Sequence, residues 1–334
     1  MPPCCVSERN SVDLTKPRAI LATAADQRYS RSLAQMLLSV RRVRQERVFK
    51  VLVYDLGMED RTRRELERRF AFAEFRTFDF ATCPPFPGDP KRCLSSYAWK
   101  PVIVAQLMQT AKMPVVWADS ATVVVQPLDP VLEFIRTTGL YTPRAGCGVL
   151  KLRTHPDTFR LLKASEAVRA ERQVAGAFFG FDPDSPLARS ITREWAECCA
   201  REACLAPPGS DTDNHRFDQA ILSVLVLTKA EPSSLTHDEV DQSSIRPIPY
   251  LYTRRKVKEW VPLTADPLLR LYYSVRRWLW LGLFRLLWRS SRLRRLLSTG
   301  DLRQMLAPQP VRWVGDFASI QKPVRRSKRP SRPM

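Results

Sequence analysis

FKVLVYD, residues 49–55, is the stretch on which the reading of the fold turns. It is short, apolar and rich in β-branched and aromatic residues, and Leu56-Gly57 ends it, so it reads as a buried strand rather than a helix. Upstream, RAILAT at 18–23 follows Lys16-Pro17 and has the same character. Between the two, Arg28 to Val43 places Leu33, Met36, Leu37 and Val40 on one helical face. Downstream, Glu59 to Arg69 reads as a charged helix, and Phe72, Phe75, Phe78 and Phe80 are taken together as a third strand, closed by the turn CPPFPGDP at 83–90. Strand, helix, strand, helix, strand favours parallel pairing, and the expected class is α/β with a doubly wound, mostly parallel sheet.

Past this unit, Trp99 to Thr110 is a predicted helix with Pro101 in its first turn. Pro114 to Trp117 is a predicted buried strand running into Ala118-Asp119-Ser120, with Val123 to Val125 after it. Open α/β sheets bind ligands at the carboxyl ends of their strands, which singles out Asp119 with Ser120 as candidate ligand-binding residues. Thr23, ending the first strand, Asp26, just after it, and Asp55, ending the second, are counted with them. An Asp after a strand is also a common turn former or helix cap. Tyr97, Trp99 and Lys100 stand at a helix entrance, where free N–H groups and a cation can hold phosphate; the alternative is a surface cap with packed aromatics. Asp213 to Gln219, DNHRFDQ, opens the apolar helix 220–228. Within it Asp218, His215, Arg216 and Gln219 are candidate functional residues, against the alternative of Asp and His as first-turn residues that favour the helix dipole. Gly176, in QVAGAFFG at 173–180, either lets backbone approach a ligand or marks a bulge.

The chain has 334 residues and a formal charge of +20, but 20 of its 54 Lys/Arg and only 4 of its 34 Asp/Glu fall within 251–334, so that segment carries +16 of the total. The front 250 residues have an ordinary globular surface. Within Leu268 to Leu297, Arg270, Arg277, Arg285, Arg289, Arg292 and Arg295 share one helical face and Leu269, Leu279, Leu283, Leu286 and Leu297 the other. No run approaches the length that spans a bilayer, so the expectation is an interfacial helix on an anionic membrane surface; the alternative is a helix docked on the folded domain. A continuous apolar face beside these charges argues against nucleic acid as partner. The boundaries expected are a flexible 1–17, a catalytic domain at 18–250, a basic amphipathic region at 251–320 and a disordered basic tail at 321–334. The N-terminus lacks an apolar signal-like core, and the eight cysteines lack metal-type spacing, so free buried thiols and a cytoplasmic, membrane-peripheral location are expected.

Four blocks in order, VLVYDLG at 51–57, SYAWKPVIVAQL at 96–107, VVWADSATV at 115–123 and the segment 195–222 ending HRFDQAIL, resemble a GT-A-type glycosyltransferase-like family marked by Tyr-Ala-Trp-Lys-Pro and mostly of unknown function. The resemblance covers roughly residues 18 to 228. It implies a GT-A-like fold, a nucleotide-sugar donor and a glycan or lipid-linked acceptor, with Asp218-Gln219 beneath the sugar and Asp218 as the catalytic base that accepts a hydroxyl proton, beside His215, Arg216 and Gln219 as binding residues. It also implies Mn²⁺ or Mg²⁺ held by Asp-x-Asp after the strand. Here Asp119-Ser120-Ala121 has a single carboxylate. Three outcomes follow: another group completes a metal shell around Asp119, Lys100 and Arg216 neutralise the pyrophosphate, or the site is a degenerate scaffold.

Overall fold

The computed structural model describes residues 16–236, 239–240 and 251–253. The N-terminal segment, the helix expected at 268–297 and the basic tail lie outside the described residues. Six strands form the central sheet. β1 (Ala19–Ala25) lies between β2 (Phe49–Asp55) and β4 (Val115–Ala118), and β3 (Ala73–Thr77) forms the edge beyond β2; all three pairings are parallel. On the other side β9 (Phe178–Phe181) pairs antiparallel with β4 and with β6 (Leu140–Tyr141). Outside this sheet, β5 (Thr122–Val124) continues from β4, and β7 (Arg144–Val149) pairs with β8 (Arg172–Val174).

The helices follow the apolar spacing of the sequence. α1 (Ser30–Arg42) buries Leu33, Met36, Leu37 and Val40, whereas the charged α2 (Asp60–Arg69) buries only Thr62 and Leu66. α3 (Pro90–Ser95) starts on an Asp89 cap, and α4 (Trp99–Thr110) follows it after a tight turn. α5 (Asp129–Thr138) ends at Gly139, whose left-handed φ of 85° suits a residue without Cβ; a Cβ there would also meet Ser185 at 2.3 Å. Short helices α6 (Pro156–Leu161) and α7 (Glu166–Ala170) precede α8 (Pro186–Cys199), α9 (Glu202–Leu205) and α10 (Phe217–Lys229). α4, α8 and α10 pack over one core in which Trp117, Phe179 and Trp195 are buried at 0–1% exposure. Phe179 lies over Trp117 at 6.4 Å and edge-on to Trp195 at 5.6 Å, the offset and T-shaped geometries that ring quadrupoles favour.

Two expectations are corrected. The third strand is shorter than the phenylalanine pattern suggested. Phe78 and Phe80 lie past its end, edge-to-face at 5.0 Å. Phe75 is an odd number of residues from Phe72, Phe78 and Phe80, so one strand cannot bury all four on one face. Farther along the chain, β10 (Glu239–Val240) joins β7 and β11 (Leu251–Thr253) pairs with β5. The cysteines are not all free thiols: Cys83 is bonded to Cys93 and Cys198 to Cys204, leaving Cys199 as a buried free thiol among the described residues. Sequence separations of 10 and 6 resemble no known spacing motif, and only the turns before α4 and between α8 and α9 bring the partners together.

Candidate functional site

The order β3-β2-β1-β4 reverses direction at β1, and the crevice of such a sheet opens at the carboxyl ends of the strands flanking that point. Asp55 ends β2, Asp26 follows β1 and Asp119 follows β4, so three carboxylates share this edge. Their surroundings differ. Asp55 accepts hydrogen bonds from the amides of Gly57 and Met58 at 2.9 and 2.7 Å and pairs with Arg63 at 3.2 Å. Asp26 caps the amide of Tyr29 and pairs with Arg28 at 2.8 Å. Both carboxylates hold the turns that leave their strands.

Asp119 faces Lys100. The Lys100 ammonium, on a side chain only 4% exposed, lies 2.9 Å from Asp119 Oδ1 and donates a 2.9 Å hydrogen bond to the carbonyl of Gly176. It stands 3.7 Å from Asp218 Oδ2, an oxygen that is buried and has no hydrogen-bond partner. The rings of Tyr97, Trp99 and Trp117 surround the same ammonium at 5.5–5.7 Å. Asp119 Oδ1 also accepts from Trp117 Nε1 at 2.8 Å. Trp117 and Asp119 are two residues apart, the spacing that returns side chains to one side of an extended chain.

Burial works against the ammonium, but Asp119 and then Asp218 outweigh it, so the Lys100 pKa is raised. Burial pushes the Asp218 carboxyl up to about 7 despite the nearby Lys100, and Asp119 adds to the rise. One ammonium therefore serves two acids of unequal standing. Asp119 takes the close contact, and Asp218 holds a proton that leaves near neutrality, as a general base requires.

Two backbone features hold this geometry. Tyr97 (φ 59°), three residues before Lys100, and Phe217 (φ 45°), immediately before Asp218, are left-handed although neither is glycine. Such conformations cost about 1–3 kcal/mol for non-glycine residues and persist where surrounding structure enforces them. At the start of α10, Trp195 Nε1 donates to the carbonyl of Asp218 at 2.8 Å. At Gly176 an added Cβ would come within 3.0–3.3 Å of Gln219, whose amide is tied to the carbonyl of Val174 at 2.9 Å. Glycine there lets the chain pass Gln219 and present its carbonyl to Lys100.

One pocket gathers Tyr97, Lys100, Asp119, Gly176, Arg216, Asp218 and Gln219, with Ala177, Thr212 and Phe217. Thr23, Asp26, Asp55, Trp99, Ser120 and His215 lie outside its lining. Thr23 is buried within β1, and His215 is buried behind the pocket wall, bonded to the carbonyl of Leu205 and accepting from the amide of His155. Burial drops the His215 pKa to about 4, so this imidazole is neutral near pH 7. Arg216 is half-buried, and its guanidinium has no partner among the described residues, which leaves a cation facing the pocket. Trp117, Thr212 and Phe217 are site residues that no motif of the sequence marked. Only the Trp117-x-Asp119 spacing offered a signal.

The donor set is a poor fit for Mn²⁺ or Mg²⁺. Among the described residues no three Asp, Glu, His or Cys side chains converge as a metal site. The two carboxylates of the pocket already have an ammonium within 2.9 and 3.7 Å. A divalent ion bound to either would stand a few ångströms from that positive charge, at low dielectric, without the several oxygen ligands such ions require.

No protein-family profile and no curated protein matches the chain. Among solved structures it is similar to the bifunctional glycosyltransferase WbbM, at 14% identity and a TM-score of 0.45, covering 66% of this chain and 38% of that one. It is also similar to the galactosyltransferase LgtC in complex with donor and acceptor sugar analogues, at 14% identity and 0.45, covering 76% and 94%. A third is core-mannan synthase A from Aspergillus fumigatus in its Mn/GDP form, at 10% identity and 0.43, covering 68% and 74%.

Proposed function

We propose that the chain is a glycosyltransferase that moves a sugar from a nucleotide-diphosphate donor to a hydroxyl of a glycan or lipid-linked acceptor. The observation that carries this reading is the pocket at the carboxyl edge of the sheet, lined both by a carboxyl whose pKa is pushed up to about 7 and by Arg216. In the reaction the bond between the anomeric carbon and the donor phosphate oxygen breaks, and a bond to the acceptor oxygen forms. The acceptor proton passes to Asp218, and the nucleoside diphosphate leaves with its negative charge beside Arg216. Gly176 and Gln219 form the wall against which the sugar lies. Thermal-shift measurement against nucleotides and nucleotide sugars tests this, since a ligand that binds the native state raises stability by mass action. The reading predicts a shift for one base and sugar class; no shift across the panel contradicts it.

One observation favours a second reading, a scaffold that binds donor without transfer: Asp119 is already engaged by Lys100 and Trp117 rather than open to a metal. A nucleotide sugar that binds but is neither hydrolysed nor transferred supports the scaffold. The membrane part of the proposal rests on the Arg/Leu faces of 268–297, and sedimentation of the full chain with vesicles containing anionic lipid checks it. The disulfides favour an oxidising compartment over the cytoplasm. Mass mapping of cysteines under non-reducing conditions in the native host is the check.

A further inference from the structure

We infer that the donor site works without a divalent ion, with the Lys100 ammonium as its fixed counter-charge and Asp119 as the residue that positions that ammonium rather than as a metal ligand. The inference rests on the nucleotide-sugar reading above. Three observations carry it. The ammonium is held in place by Asp119 Oδ1 at 2.9 Å and the Gly176 carbonyl at 2.9 Å, so it is ordered before any ligand arrives. It lines the pocket and stands 3.7 Å from the unpartnered Asp218 Oδ2, so a ligand oxygen entering the pocket can take its remaining N–H. The enclosing rings of Tyr97, Trp99 and Trp117 exclude the water that a hydrated dication brings with it.

A dication held by two carboxylates keeps no net charge and meets the phosphates through its open coordination positions. Here the two carboxylates face a buried monocation, and Arg216 adds a second positive group at the pocket. Lys100, its charge offset by Asp119, and Arg216 present two cationic groups to a diphosphate, one as a fixed point charge and one as a planar fork. Asp119 thus acts through Lys100. Removing its charge loosens the ammonium but removes no ligand from a metal.

The test is calorimetric titration of the full chain with UDP, GDP, ADP and CDP, each in EDTA and in millimolar MnCl₂. The inference predicts that at least one nucleoside diphosphate binds in EDTA, with an affinity within about a factor of two of that in Mn²⁺. Lys100→Met lowers that affinity at least about tenfold in either buffer, because a charged hydrogen bond to phosphate is lost. Asp119→Asn weakens binding less, and Mn²⁺ does not restore it. Binding that appears only with Mn²⁺ overturns the inference while leaving the transferase reading intact. Failure of all four to bind in both buffers overturns the two together. The wild-type comparison decides the matter even if the Lys100 variant does not fold.

Discussion

Asp55 and Asp218 are both carboxylates at the rim of the same sheet, and they are used in opposite ways. Every interaction of Asp55 is spent inside the fold, on two turn amides and Arg63. Asp218 is buried with one oxygen unpartnered and a pKa pushed up to about 7. The same division separates Asp26, which caps a turn, from Asp119, which fixes a lysine. Acids on the β1–β2 side stabilise the turns there. On the β4–α10 side Asp218 is held where burial disfavours a bare carboxylate, the kind of unsatisfied buried acceptor that functional sites retain.

The largest expected effect that could break this comparison comes from Lys100. Lys100→Met leaves two carboxylates near one another without their shared cation, and the loss expected for breaking a buried pair is about 3–5 kcal/mol. Urea unfolding measures it, and a loss below about 1 kcal/mol means that the ammonium does not hold the site together. Next come the disulfides, both of which brace the β4–α10 side: Cys83–Cys93 precedes the turn into Lys100, and Cys198–Cys204 links α8 to the segment leading to Asp218. Cys83→Ser with Cys93→Ser should cost about 2–3 kcal/mol, the entropy of closing so short a loop, and dithiothreitol should lower the wild-type melting temperature in parallel. Asp55→Ala is smaller, about 1–2 kcal/mol for a lost cap, and should leave nucleotide affinity unchanged.

The smallest effects lie in pH dependence, where two groups oppose one another. Asp218 has a folded pKa near 7, above its unfolded value, so the native state binds the extra proton. Its contribution makes stability fall as pH rises from about 4 to 7. His215 has a folded pKa near 4, below its unfolded value, so its contribution makes stability rise with pH over about 4 to 6.5. The two slopes largely cancel in the wild type. His215→Asn should expose the falling slope in thermal scans across this range, and a rising or flat profile would contradict the Asp218 assignment.

Much of the frame was legible in the sequence, because it depends on local pattern. The 49–55 strand and the 99–110 helix appear with the bounds their apolar runs and their Gly and Pro punctuation indicate. Asp119, Lys100 and Asp218 were each visible as candidates at a strand end or helix entrance. Their meeting around one ammonium was not, because residues 100, 119 and 218 come together only through the packing of α4, β4 and α10. The antiparallel insertion of β9 beside β4 was equally hidden, although it brings Gly176 and Ala177 to the site. The disulfides escaped notice because neither spacing differs from chance. The roles of Asp26 and Asp55 escaped for a different reason: a turn cap and a ligand-binding acid have the same sequence signature at the end of a strand.

The most direct test is the stability of Asp218→Asn at pH 8, set beside Asp55→Asn under the same conditions. At that pH the native Asp218 is ionised against its surroundings, and each pKa unit of elevation corresponds to about 1.4 kcal/mol. The account predicts that Asp218→Asn unfolds at higher urea than wild type while transfer is lost, and that Asp55→Asn unfolds at lower urea. Equal destabilisation by the two substitutions would contradict the claim that one acid serves the fold and the other the chemistry.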